Sequence, residues 1–174
     1  MSERRVADDE LYEALGSAGS LDKILLATDG SKSSEAAAAT TAKIAEQFGS
    51  RLHLVHVTPV HSFYSCYGEG ESDTLSIFEE DDERARSLLE RQAEKLRSEG
   101  VNVEQTHLRI GEPDAEVVAL AEEIGADLVV AGSHGTGAMK RATIGRVSES
   151  IVRHAHCPVL VVRQQESTSD GREA

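Results

Sequence analysis

Short apolar runs alternate along the chain with longer stretches in which apolar residues recur every three or four positions. Four of these runs have the length of a strand and lie at residues 24–27, 52–57, 128–131 and 159–162. None of them contains an acidic residue, a lysine or an arginine, which is typical of strands that are covered on both faces. We therefore predict four buried strands.

A fifth segment, residues 101–110, has a more polar pattern. Val101 and Val103 alternate with polar residues at its start, and most of the remainder is polar. Central strands of a parallel sheet are apolar almost throughout because helices cover both of their faces. We therefore predict that this strand lies at an edge of the sheet.

Two helices are predicted in the first half of the chain. The first follows the turn Asp29-Gly30-Ser31 and ends at Gly49. Its apolar face consists of Ala37, Thr40, Ile44 and Phe48. The second opens on an acidic run at residues 79–83, where negative charge complements the helix dipole, and ends at Gly100. Its apolar face consists of Ala85, Leu89, Gln92 and Leu96, with Leu88 beside it.

Two further helices complete an alternating order of strands and helices. One begins at Pro113 and ends at Gly125, with an apolar stripe of Val117, Leu120, Ala121 and Ile124, and the other covers about residues 144–155. This order predicts an α/β domain with an open parallel sheet and helices on both faces. Ligands bind such sheets beyond the carboxyl ends of the strands. The candidate site loops are therefore residues 28–33, 58–76, 111–113 and 132–146.

Composition and charge restrict the class of protein. Of the 174 residues, 39% are hydrophobic, 28% are charged and 3% are aromatic, which suits one ordinary domain with an aliphatic core. The net charge of −13 disfavours nucleic acid as a partner because it repels phosphates. No apolar run has the roughly 20 residues of a membrane helix, and the first residues have no apolar segment typical of a secretory signal.

Cysteine and histidine spacing gives no sign of a metal site. Cys66 and Cys157 lie far apart, which is the usage expected of a cytoplasmic protein with free thiols. His53 and His56 belong to one strand, but their spacing puts them on opposite faces. We expect no metal held by side chains and a cytoplasmic location.

The most informative segment is rich in glycine and follows the strand at residues 128–131. It begins Gly132-Ser133-His134-Gly135-Thr136-Gly137 and continues to Gly145-Arg146-Val147-Ser148 at the start of a helix. Glycines allow backbone N–H groups to approach an anion, and a helix N-terminus favours negative charge, so a phosphate site is one interpretation. The other is that these glycines only form turns. The spacing fits neither a Walker A loop nor the dinucleotide fingerprint.

Within this segment, Ser133 and His134 are a serine and a histidine in adjacent positions. Adjacent side chains seldom face one another, and no third group of a catalytic triad is evident. We therefore predict no hydrolase site and assign no catalytic residue.

The glycine pattern resembles the G-x2-G-x9-G-(S/T) nucleotide motif of the universal stress protein family. Gly132, Gly135 and Gly145 have its spacing, while residues 24–31, 54–57 and 157–162 resemble the first strand and turn, the second strand and the last strand of the family. The resemblance covers residues 21–163. Residues 1–20 then form an N-terminal extension, and residues 164–174 form a polar tail.

Membership of this family implies a Rossmann-like fold with strand order 3-2-1-4-5, a homodimer and, in many members, bound ATP. The resemblance implies that Ala27, Thr28 and Asp29 flank the adenine and ribose and that Val57 offers backbone groups to the base. It also implies that Ala131 and Gly132 border the ribose and phosphates. The phosphate chain would be held by Gly135, Gly145, Arg146, Val147 and Ser148. For Asp29, capping of the first helix is the alternative role.

Two positions depart from the family pattern. Ala27 stands where proline is frequent, and Arg146 stands where the motif has serine or threonine. The backbone N–H survives at residue 146, but a long cation replaces a small hydroxyl. The arginine side chain can fold over the phosphates, which we favour because its planar fork suits phosphate, or it can turn to solvent or to an acidic neighbour.

The leading function is that of an ATP-binding regulatory or stress-response protein, with ATP alone or together with magnesium and with hydrolysis slow or absent. Two alternatives remain: a nucleotide-free dimeric interaction module and an ATP-dependent enzyme of related α/β fold. Such enzymes commonly carry a Ser-Gly-Gly-x-Asp-Ser loop after the first strand, which residues 27–31 lack. A regulatory protein is a further possible partner.

The last strand is the expected dimer interface. Residues Val159, Leu160, Val161 and Val162 are apolar throughout and stand at the end of the domain. At a sheet edge they would leave unpaired N–H and C=O groups, which a second copy can cover about a two-fold axis.

Overall fold

The computed structural model describes residues 21–59, 73–135 and 144–164, and for the helix that begins at Asp73 it describes side chains from residue 82 onward. In these ranges five strands alternate with four helices. The strands are β1 Lys23–Ala27, β2 Arg51–Pro59, β3 Val103–Gly111, β4 Leu128–Gly132 and β5 Val159–Val162. The helices are α1 Lys32–Phe48, α2 Asp73–Ser98, α3 Pro113–Ile124 and α4 Arg146–His154.

The strands form one parallel sheet in the order β3-β2-β1-β4-β5. This confirms the predicted α/β class, the strand order that the resemblance implied and the edge position of β3. β2 pairs with one side of β1, and β4 pairs with the other side, so the strand order reverses at β1. The carboxyl ends of β1 and β4 therefore border the crevice in which ligands of such sheets bind.

Two apolar layers hold the helices against the sheet. On one face, Ile24, Leu26 and Leu54 are fully buried under α1 and α2. On the other face, Leu25 and Val129 are fully buried under α3 and α4. Alternate residues of one strand enter opposite layers because successive side chains of a strand point to opposite faces. The core is aliphatic, as composition predicted.

The apolar face predicted for α1 is confirmed at Ala37 but is otherwise off by about one position. The buried face is formed by Ser33, Ser34, Ala37, Ala38, Thr41, Ala42 and Ala45. Phe48 is 50% exposed, and Ile44 is only half-buried. Small side chains let the helix approach the sheet closely, and the Thr41 hydroxyl is satisfied by donating to Ala37 O at 2.7 Å.

Helix α2 begins at Asp73, ahead of the predicted start in the acidic run at residues 79–83. The predicted face is confirmed for Ala85, Leu89 and Leu96, whereas the buried centre is Ala93 rather than its neighbour Gln92. The long loop predicted at residues 58–76 is shorter at both ends, because β2 extends to Pro59 and α2 already begins at Asp73. Residues 60–72 lie outside the described ranges.

Predicted helix ends are confirmed at several positions. Gly49 and Gly125 follow α1 and α3 in the left-handed conformation, with φ of 66° and 61°, and Pro113 opens α3. The extension at residues 1–20 and residues 165–174 of the tail lie outside the described ranges. Within those ranges, no helix combines the length and the apolar character that crossing a bilayer requires.

Candidate functional site

A cleft of about 340 Å³ opens where the carboxyl ends of β1, β2 and β4 meet the first turns of α3 and α4. Most of the residues predicted to bind nucleotide line it: Ala27, Thr28, Asp29, Val57, Ala131, Gly132, Gly135, Val147 and Ser148. Ala27 and Ala131 are partners in the register between β1 and β4, so the two strands end at the same level. Of the predicted set, Gly145 and Arg146 are not among the lining residues.

The turn after β1 is fixed by short-range hydrogen bonds. Asp29 Oδ1 accepts from the Ser31 backbone N–H at 2.9 Å. Ser31 is the N-cap of α1, and its Oγ accepts from Ser34 N at 3.2 Å. The capping role considered for Asp29 therefore belongs to Ser31. Asp29 instead stabilises the turn through one oxygen, in the manner of an Asx-turn.

Thr28 anchors this turn to the sheet and to α1. Its backbone N–H donates to Val55 O at 2.9 Å, which continues the pairing of β1 with β2. The Thr28 side chain is buried, and Oγ1 donates to Ser34 Oγ at 3.3 Å. Thr28 lines the cleft, and these two hydrogen bonds hold it in place there.

The glycine loop approaches the β1 turn too closely for larger side chains. A Cβ atom at Gly132 would lie 2.7 Å from the backbone carbon of Ser33. A Cβ atom at Gly135 would lie 2.8 Å from Oδ2 of Asp29. The Ser31 hydroxyl also donates to His134 O at 3.2 Å, which ties the two loops together. These glycines therefore let two segments distant in sequence form one cleft.

The N-terminus of α4 forms one end of the cleft. Gly145 is the N-cap, and its N–H donates to Ser133 O at 2.7 Å. Glu149 N donates to Gly145 O at 2.9 Å as the first bond of the helix. The N–H groups of residues 146–148 precede that bond, so they form the positive end of the helix.

The side chain of Ser148 has a structural partner. Its Oγ donates to Gly132 O at 2.6 Å, and the residue is buried. This bond connects the start of α4 to the end of β4. The hydroxyl proton of Ser148 is therefore engaged within the protein.

Arg146 is exposed and lines a neighbouring groove of about 460 Å³ rather than the cleft. The groove also contains the acidic residues Asp114 and Glu149. A hydrogen bond from Ser150 holds the pKa of the Asp114 carboxyl below its usual value, so this carboxyl remains charged into more acidic solution. Val147, which is 42% exposed, lines both the groove and the cleft.

Ser133 and His134 contact each other, contrary to the expectation for adjacent residues. Ser133 Oγ lies 3.0 Å from His134 Nδ1. The other ring nitrogen, Nε2, is buried and has no hydrogen-bond partner among the described residues. The contact arises because the chain bends sharply after β4, where Ser133 N still pairs with Val162 O of β5 at 2.8 Å.

Pro113 belongs to the predicted site loop at residues 111–113, but several other lining residues were not predicted, among them His56, Val117 and Ile151. His56 Nδ1 lies 2.8 Å from Thr28 O, which fixes the ring against the β1 turn. One signal was available in the sequence, because His56 stands near the carboxyl end of a predicted strand. The contributions of α3 and α4 depend on packing between helices, which the sequence pattern does not specify.

A second polar cluster lies outside the cleft, on β2 and β3. His53 Nδ1 lies 3.0 Å from His107 Nε2, and His53 Nε2 lies 3.0 Å from Glu104 Oε2. Burial, the neighbouring His53 and the charge of Arg109 hold the pKa of the His107 imidazole below its usual value. Among the described residues, no group of three or more His, Cys, Asp or Glu side chains is placed to hold a metal ion.

At Glu104 two effects on the pKa compete. Desolvation alone would raise the pKa of the carboxyl, but the hydrogen bond from His53 and the charge of Arg51, 3.2 Å away, outweigh it. The pKa of Glu104 therefore lies below its usual value.

Comparison with known proteins finds universal stress proteins both by sequence and by structure. The universal stress protein MJ0531 of Methanocaldococcus jannaschii is 34% identical over 143 residues, which cover 82% of each chain. A putative universal stress protein of Staphylococcus aureus strain USA300 is 38% identical over 150 residues, covering 84% of this chain and 87% of the relative.

Three solved structures have the same fold. Hypothetical protein MJ0577 is 27% identical with a TM-score of 0.76, covering 86% of this chain and all of its own. A universal stress protein in complex with cAMP is 22% identical, with a TM-score of 0.59 and coverage of 84% and 100%. The universal stress protein of Archaeoglobus fulgidus in complex with dAMP is 22% identical, with a TM-score of 0.58 and coverage of 83% and 99%.

The family model for universal stress proteins matches residues 20–163. This range contains the whole sheet, the four helices and the cleft. Together with the relatives above 30% identity, the match shows that the chain belongs to the universal stress protein family.

Proposed function

We propose that this protein is a regulatory or stress-response protein that binds an adenine nucleotide, with ATP favoured over AMP, in the cleft beyond β1 and β4. The observation that carries the proposal is the meeting of three features in one cavity. These are the closely packed glycines of the loop after β4, the N-terminus of α4 and the Asp29 turn.

The cleft has two ends of different chemistry, which gives the nucleotide an orientation. The end formed by the glycine loop and α4 offers N–H groups and the positive end of a helix, and both favour phosphate. The opposite end, above β2 and α3, is lined by Val57, Pro113 and Val117. Apolar side chains suit the flat faces of a base, so the base lies at that end.

Two solved relatives support the class of ligand. One universal stress protein was obtained in complex with cAMP, and that of Archaeoglobus fulgidus in complex with dAMP. Both ligands contain adenine and a phosphate. The likeness to these proteins is one of fold, so the individual contacts in this chain rest on its own geometry.

A homodimer formed through β5 is part of the proposal. This strand lies at the edge of the sheet, and each of its four residues is only half-buried. Among the described residues, only β4 pairs with it. A second copy would cover the outer edge. We also propose a cytoplasmic location, which agrees with the free thiol of Cys157.

The experiment is a titration with ATP followed by thermal unfolding. Binding to the folded state raises the melting temperature, and a concentration of 100 times Kd adds about 2.7 kcal/mol of stability. Gly135→Val should abolish this rise, because the new side chain occupies the space next to Asp29. Ala39→Val, at an exposed position of α1 outside the cleft, is the matched control and should retain the rise.

The absence of any rise in melting temperature at millimolar ATP, with and without magnesium, would refute nucleotide binding. An equal rise in the parent and in Gly135→Val would show instead that ATP binds elsewhere on the protein.

A further inference from the structure

Leu88 lies beside the buried face of α2 rather than within it. The face that α2 turns towards the sheet carries the buried side chains Leu89, Ala93 and Leu96. Leu88 precedes Leu89 by one position, which is about 100° around a helix, and it is only half-buried. Its side chain therefore belongs to the flank of α2 and makes its contact outside the sheet core.

The Leu88 side chain packs against the backbone of Gly30, in the turn after β1. A Cβ atom at residue 30 would lie 2.5 Å from Cδ1 of Leu88 and 3.7 Å from its Cγ. Gly30 also has a φ of 75°, which is in the left-handed region that other residues seldom adopt. The space that a side chain at residue 30 would occupy is thus filled by a leucine from a distant part of the chain.

Gly30 connects two residues that shape the cleft. Asp29 precedes it and lines the cleft, and Ser31 follows it as the N-cap of α1. The Asp29 carboxylate accepts from the Ser31 backbone N–H at 2.9 Å, so its position depends on the backbone of all three residues. Glycine has more backbone conformations open to it than any other residue, and a packing contact restricts it to one of them.

From this geometry we infer that Leu88 is a positioning residue of the nucleotide site: it holds Gly30 in the conformation that presents Asp29 to the cleft. The inference rests on the proposed function, because it concerns the affinity of that site for ATP. None of the described residues of α2 lines the cleft, so Leu88 acts on the nucleotide through the turn alone. Helix α2 thereby contributes to the affinity of a cleft that it does not border.

The test measures the Kd for ATP by calorimetry in the parent and in Leu88→Ala. Alanine keeps the helix, because it has the highest helix propensity, but it lacks the atoms that contact Gly30. The cost of fixing the backbone of one residue is equivalent to about a tenfold change in an equilibrium constant, so the Kd should rise about tenfold. Leu88→Met, which retains a long apolar side chain, should keep the Kd within about twofold of the parent.

Leu89→Val is the matched control at the adjacent position. Leu89 is buried in the sheet core, so its truncation should lower the melting temperature, but its side chain does not contact Gly30. The Kd of this variant for ATP should therefore stay within about twofold of the parent. Circular dichroism at the temperature of the titration checks that each variant is folded.

A double-mutant cycle with Gly30→Ala tests the contact itself. In the parent, the new methyl group displaces the Leu88 side chain and also strains the left-handed backbone. In Leu88→Ala only the strain remains, so Gly30→Ala should weaken ATP binding several-fold less there than in the parent. The strain is common to both arms of the cycle and cancels.

The possible failures can be told apart. If the parent does not bind ATP, the proposed function is wrong and this inference falls with it. If the parent and Leu88→Ala bind ATP equally well, the nucleotide site stands and the role of Leu88 is refuted. The role is also refuted if Leu89→Val weakens binding as much as Leu88→Ala does, or if the effects of Gly30→Ala and Leu88→Ala simply multiply in the double variant.

Discussion

The two closely packed glycines of the loop after β4 should respond very differently to the same substitution. At Gly132, a methyl group would lie 2.7 Å from the Ser33 backbone carbon and 2.8 Å from the Ser34 nitrogen. Both atoms belong to the first turn of α1 and cannot move without shifting the helix. At Gly135, the atom met first is the carboxylate of Asp29, at 2.8 Å, which is the end of a side chain.

These distances set the expected magnitudes. Overpacking against a fixed backbone costs about 1–3 kcal/mol, so Gly132→Ala should lower the melting temperature by roughly 3–10 °C in a domain of this length. In Gly135→Ala the Asp29 side chain can rotate away. The loss of the hydrogen bond to Ser31 then costs about 1 kcal/mol. The backbone itself tolerates alanine at both positions, because neither glycine has a positive φ.

The assay is thermal unfolding of the parent and both variants, followed by circular dichroism, with and without ATP. We expect Gly132→Ala to lose stability in the absence of nucleotide. We expect Gly135→Ala to lose no more than about 1 kcal/mol of stability but to lose most of the rise produced by ATP. If Gly132→Ala is as stable as the parent, α1 and the loop are not packed as described, and the derivation of the cleft fails.

Three further predictions concern charge, pH and assembly. Arg146→Ser should change the Kd for ATP by less than about twofold, because the arginine lines the neighbouring groove, and a tenfold weakening by calorimetry would show that it reaches the phosphates. Because the pKa of His107 is lowered in the folded protein, the unfolded chain binds more protons than the folded one in mildly acidic solution, and stability should fall as the pH drops below about 6.5. Urea titrations should show that His107→Gln reduces this loss of stability, whereas His156→Gln should not. Light scattering at tens of micromolar should give twice the mass of the 18.7 kDa chain, and a monomeric mass would contradict pairing through β5.

The sheet was predictable because its pattern is local. Each buried strand is a short apolar run. Pro113 marks the start of a helix, and Gly49 and Gly125 mark helix ends, through their own backbone preferences. The face of α1 was less predictable. Ile44 and Phe48 dominate any hydrophobic pattern by size, but the sheet accepts the small side of the helix because it permits a closer approach.

The candidate site was predictable in its loops and less so in its individual contacts. The glycine spacing located the loop, but the contact of Gly132 with Ser33 joins positions about 100 residues apart. The sequence placed Arg146 at the start of a helix, but it did not show that the residue lines the groove beside α3 rather than the cleft. The contact of Ser133 with His134 depends on a bend of the backbone that residue types alone do not specify.

The most direct test of the nucleotide site is a crystal structure of the protein grown with ATP. We predict that the phosphates lie at the N-terminus of α4, beside Gly132 and Gly135, and that the base lies above Val57. An empty cleft, with ATP bound elsewhere or in the groove that Arg146 lines, would contradict this account of the site.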